Sequence, residues 1–139
     1  MPPTALRSSS RRRLAVAVLA VVTVAAGLIV HRLGTGILGD IAGDALYAVL
    51  IYLIFVFLLP RSARSLPAAL AIIFCTAIEF LQLTDVPSKL TGMFPPAALV
   101  FGAGFDQRDL LVYAFAVIGA MLVDAAISRA LQSTPVRHS

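Results

Sequence analysis

Four apolar runs decide what this chain can become: Leu14–Val30, Ile41–Leu59, Leu66–Leu83 and Asp109–Ile127. At about 1.5 Å per helical residue, each comes close to the roughly 30 Å hydrocarbon thickness of a bilayer. Backbone N–H and C=O groups in lipid have no water to bond, so such a run satisfies them within itself, as a helix. All eight prolines lie at the ends of these runs or outside them, where they break no interior hydrogen bond. Between the third and fourth runs, "MFPPAALVFGAGF" is apolar but too short to cross, and Pro95-Pro96 suits the start of a short helix. The expected fold is an all-α integral membrane protein: four transmembrane helices, with a short interfacial or re-entrant segment between the third and fourth.

Composition supports this. Of 139 residues, 60% are hydrophobic and 13% charged, about half the charged share of a soluble domain. Residues 1–13, "MPPTALRSSSRRR", are expected to form a disordered cytoplasmic N-terminal tail, residues 14–128 one four-helix transmembrane domain, and residues 129–139 a cytoplasmic C-terminal tail. Basic residues ahead of an apolar run also describe a signal peptide, with weak cleavage sites at "TVA" or "VAA". Retention is favoured, because later runs need no separate export signal once the first is inserted. A lone Cys75 excludes an internal disulfide and a paired-cysteine metal clamp, and no cofactor is expected. The net charge of +4 comes from arginines beside apolar runs, where they set topology and meet anionic lipid. Membrane lipid, not nucleic acid, is the expected partner.

The basic residues also set an orientation. With the N-terminus in the cytoplasm, Arg7, Arg11, Arg12, Arg13, Arg61, Arg64, Arg129 and Arg137 lie inside, and only Arg32, Lys89 and Arg108 outside. Both termini are therefore expected to be cytoplasmic. Every acidic residue except Asp124 then falls at or near the outer face.

That topology brings polar residues of four segments to one depth: His31, Arg32, Asp44, Glu79, Gln82 and Asp109. Helical spacing places Asp40, Gly43, Asp44 and Tyr47 on one face of the second span, and Cys75, Thr76, Glu79 and Gln82 on one face of the third. Asp109, Tyr113, Ala116, Ala120 and Asp124 share a face of the fourth. Stripes of small and polar residues let membrane helices approach and hydrogen-bond, so these faces are expected to point inward. The candidate ligand-binding cluster is Arg32, Asp44, Glu79, Gln82, Asp109 and Tyr113, with Arg32 as the expected partner of Glu79 or Asp44.

Plainer explanations compete. Asp44 and Asp109 occupy first helical turns, where a carboxylate caps free N–H groups. Glu79 sits near a helix C-terminus, where the dipole disfavours an anion, so it needs a donor of its own. A structural bond between helices meets that need as well as a functional one. "GTGILG", Gly34–Gly39, fits a dinucleotide-binding spacing, but no strand precedes it, and a flexible turn is the better reading. His31 near three carboxylates lacks a paired ligand motif, so no metal is expected.

"GDALYAVLIY", "IEFLQL" and "LVFGAGFDQRDLLVYAFAVIGAMLVD" together resemble the domain of unknown function 2809 family of small bacterial membrane proteins, itself remotely similar to VanZ-like proteins. The resemblance spans about residues 14–128. It matches recurring family positions at Gly43 to Leu46, Glu79 with Gln82, Gly102 with Gly104-Phe105, and Asp109 with Tyr113. Tyr47 stands where tryptophan is usual, and the loop before Gly102 is less basic than the family pattern. What the resemblance implies is a multi-pass protein of the bacterial plasma membrane, with no established activity.

Three functional classes follow for the cluster. The first is an accessory or binding protein, whose outward pocket takes a lipid headgroup, an envelope precursor or a partner membrane protein, with Arg32 meeting an anionic group. The second is an intramembrane enzyme using the Glu79, Asp44 and Asp109 carboxyls as acid and base. The third is a small transporter or proton relay, which needs a polar path reaching Asp124.

Overall fold

A computed structural model describes residues 3–102 and 104–132, and the described chain is helical with no strand. Its helices are α1 (Pro3–Leu33), α2 (Gly36–Leu58), α3 (Ser65–Leu81), α4 (Val86–Met93), α5 (Ala98–Phe101) and α6 (Gln107–Gln132), with a 3₁₀ turn at Pro95–Ala97 before α5. The stretches Ser10–Leu33, Gly36–Leu58 and Gln107–Ala130 are each long and apolar enough to cross a membrane. α3 joins them as a fourth candidate when taken with α4, from which it is bent by 88°.

Three elements differ from expectation: α2 starts at Gly36, within the stretch expected to be a flexible turn, so Asp44 lies past its first turn and does not cap it. α1 starts at Pro3, so the segment expected to be disordered up to Arg13 continues the first span as helix. Proline suits a first helical turn, and a helix already nucleated by a long apolar run extends at little cost. The third difference is α4, a short helix over the polar "VPSK" stretch, to which the sequence assigns no element, again opening with a proline in its first turn. The C-terminal tail is helical to Gln132, and from residue 133 it lies outside the described residues.

α2 is central, packing against α1, α3 and α6, while α3 also packs against α6. The core repeats at helical spacing: Ala48, Tyr52 and Val56 of α2, Ala68, Ala71 and Cys75 of α3, and Tyr113 and Val117 of α6. Alanines at these positions let the backbones approach, the usual means of close packing where lipid is as apolar as the side chains. Among the described residues, α1 contributes Val16 to this core, with Ala20 packed against it, and otherwise presents large apolar side chains outward, as a helix facing lipid does.

α1 and α2 turn tightly. A Cβ on Gly39 would sit 2.8 Å from the Gly34 carbonyl carbon, so the "GTGILG" glycines serve backbone contact. The reversal returns α2 alongside α1.

Candidate functional site

Glu79 is fully buried near the C-terminus of α3. Its Oε1 accepts the Asp106 backbone N–H at 2.6 Å, and its Oε2 accepts the Tyr113 hydroxyl at 3.3 Å. One turn on, Gln82 Nε2 donates to the Phe101 carbonyl, and the Phe80 ring lies 6.2 Å from that of Phe105. α3 thus pins both ends of the connection from α5 to α6. The connection passes through Gly102 at φ +67°, where a Cβ would lie 2.9 Å from Gln82 Nε2. Only glycine is unstrained there.

Asp106 then starts α6. Its Oδ1 accepts the Arg108 backbone N–H at 2.9 Å, and its Oδ2 accepts Arg108 Nε at 3.0 Å. The Arg108 guanidinium holds the Asp106 carboxyl below its ordinary range. A carboxyl depressed on folding stabilises at neutral pH, and that contribution is lost as pH falls through the depressed value.

Beside this connection, α1, α2, α5 and α6 border a cleft of about 690 Å³. Asp40, Asp44, Tyr47, Gln82, Asp109 and Tyr113 line its polar part, while Val24, Leu28, Leu50 and Leu99 line an apolar wall. The carboxyl groups of Asp44 and Asp109 face each other within hydrogen-bonding reach. The Tyr47 and Tyr113 rings lie 6.4 Å apart. Two atoms here, Tyr47 Oη and Gln82 Oε1, are buried and have no hydrogen-bond partner among the described residues.

Five of the six candidate residues therefore gather at one end of the bundle: Asp44, Glu79, Gln82, Asp109 and Tyr113. Arg32 does not join them. Its side chain is exposed, it makes no ion pair among the described residues, and it does not border the cleft. The expected bond to Glu79 or Asp44 is replaced because Glu79 finds donors in the Asp106 backbone N–H of the loop and the Tyr113 hydroxyl of α6, whereas Arg32 ends a helix that packs chiefly on α2. His31 borders the cleft, but among the described residues no group of three or more His, Cys, Asp or Glu is placed to hold a metal ion.

A family model described as a protein of unknown function, DUF2809, matches residues 33–119. The chain belongs to the DUF2809 family. No curated protein and no solved structure matches it. The DUF2809 match runs from the end of α1 into α6, so it contains Asp44, Glu79, Gln82, Asp109 and Tyr113, while Arg32 precedes it.

A second polar centre, at the opposite end of the bundle, joins Tyr52 and Arg64 from within the DUF2809 match to Arg12 and Asp124 outside it. Asp124 Oδ2 accepts the Tyr52 hydroxyl at 3.0 Å and lies 3.4 Å from both Arg12 Nη2 and Arg64 Nε. Arg12 also donates to the Pro60 carbonyl at 3.3 Å. Sequence reasoning placed Asp124 on the inward face of α6 but found none of these partners, because they come from three other elements. Between the two centres, Ala48, Ala71, Cys75 and Val117 are each 0% exposed. That layer separates Tyr113 from Asp124 with packed apolar side chains.

Proposed function

We propose that this DUF2809 chain is an accessory binding protein of the bacterial plasma membrane, whose cleft takes the polar end of an amphiphile, a lipid headgroup or an envelope precursor. Both termini are cytoplasmic in this reading, so the cleft opens outward. The observation that carries it is the cleft's two-part wall. Facing carboxyls and two partnerless buried oxygens lie at one end, and aliphatic side chains lie beyond. Carboxyls and the unpartnered Gln82 amide oxygen suit a group rich in N–H or O–H, such as an amine or a sugar, and the unpartnered Tyr47 hydroxyl can donate as well as accept. With Arg32 outside the cleft, and with Arg108 at its border already paired with Asp106, recognition of an anion has less support than recognition of donors.

The binding test is native mass spectrometry on protein extracted in mild detergent. Wild type is expected to carry an amphiphile, and Asp44→Asn with Asp109→Asn together to lose it while remaining folded. An empty wild type, or a double variant that keeps its load, overturns the reading. A co-purified membrane protein in place of an amphiphile would make the cleft a partner-helix site instead.

Orientation has its own test. Reporter fusions after Ser65 and after Ser139 should read as cytoplasmic, and one near Ser88 as external. A cytoplasmic signal at Ser88 inverts the cleft.

The enzyme reading is favoured by one feature, the Asp44 and Asp109 carboxyls facing each other in a cleft, an arrangement suited to an acid and base pair. Glu79 is less suited to that role because both its oxygens are engaged. A relay to Asp124 is disfavoured by the packed layer between the two ends.

A further inference from the structure

A second groove, wholly apolar and about 220 Å³, lies between Val16, Ala17 and Ala20 of α1 and Leu53, Ile54 and Phe57 of α2. It forms because Ala17 and Ala20 are too short to fill the space opposite Ile54 and Phe57. Arg13 closes its head. The guanidinium carbon sits 5.0 Å from the centre of the Phe57 ring, and Nε donates to the Phe57 carbonyl at 3.3 Å. No carboxylate pairs with Arg13 among the described residues. Its neighbour Arg12 shares Asp124 with Arg64. This end of the bundle therefore sets Arg11, Arg12, Arg13, Arg61 and Arg64 against Asp124, the one acidic residue the sequence places there.

We propose that the groove holds an acyl chain of an anionic phospholipid whose phosphate rests on Arg13. A groove on a lipid-facing helix pair is filled by hydrocarbon, and the charge at its head selects the lipid. Guanidinium N–H groups match phosphate oxygens in a two-pronged geometry. Arg13 stands at the edge of the apolar run that begins at Leu14, the level at which lipid phosphates lie. A lipid that carries its own amine gains less from the surplus of positive charge. This site is separate from the cleft, at the other end of the bundle, and does not depend on the reading given for it.

The test uses the full chain in vesicles of equal phosphatidylglycerol and phosphatidylcholine, extracted in mild detergent, with retained lipid read by native mass spectrometry. Wild type should retain phosphatidylglycerol about fivefold over phosphatidylcholine, the selectivity of one well-placed arginine. Arg13→Gln should bring the ratio near one, and Arg13→Lys, which keeps the charge but not the two-pronged geometry, should restore part of it. Ala17→Phe, which fills the groove, should lower retention of both lipids. Arg32→Gln, at the far end, should change neither quantity. Equal retention by wild type, an unchanged ratio in Arg13→Gln, no advantage of Lys over Gln, unchanged retention in Ala17→Phe, or an equal loss of preference in Arg32→Gln each overturns the proposal.

Discussion

Glu79→Leu is expected to lower thermal stability in detergent by about 3 kcal/mol, while Glu79→Gln stays close to wild type. Leucine removes both acceptors and strands the Asp106 N–H and the Tyr113 hydroxyl in a buried site. Each unsatisfied donor costs about 1–3 kcal/mol. Glutamine keeps an oxygen for the Asp106 N–H, and its amide can donate to the Tyr113 oxygen, so the loop stays attached without the charge. Thermal unfolding of the three proteins side by side gives the comparison. Equal losses for Gln and Leu would mean that the charge itself holds the loop. A Gln variant that folds normally but no longer retains the cleft's amphiphile would give Glu79 a direct part in binding.

Asp124→Ala should be the most damaging substitution at the other end, at about 1–3 kcal/mol. It leaves Arg12 and Arg64 near one another without their shared carboxylate and removes the acceptor of Tyr52. Breaking a fully buried pair typically costs about 3–5 kcal/mol. The loss here is smaller because the Arg12 and Arg64 side chains are 34% and 35% exposed and reach water. Adding Arg64→Leu to Asp124→Ala should recover part of the loss by removing one of the two facing cations. Thermal unfolding followed by helical signal checks both, and an Asp124→Ala protein as stable as wild type would mean that the network contributes nothing.

The main helices could be read from the chain because lipid imposes one rule on backbone polar groups, and the apolar runs record it directly. α4 was hidden, since a short helix on polar residues leaves no apolar signature; its opening proline was the available signal. The case of Glu79 divides the same way. Its place near a helix C-terminus showed that it needs a donor. The donor is a backbone N–H at Asp106, a group every non-proline residue carries and which no sequence pattern marks. Charge complementarity suggested Arg32 instead, but a formal cation lost to closer neutral donors. Tyr52 reaching Asp124 was equally hidden, because an inward tyrosine on an apolar helix reads as core until its hydroxyl is placed.

The shortness of α3 reaches beyond the protein. Its 17 residues span about 25 Å, whereas the 24 residues of Ser10–Leu33 in α1 span about 36 Å. One hydrocarbon thickness cannot match both lengths, so the leaflets are expected to thin beside α3 or the longer helix to tilt. A bilayer thinner on the α3 flank than on the α1 flank is the expected consequence. Water and headgroups are then expected to reach inward on the α3 flank, toward the end where Glu79 is buried.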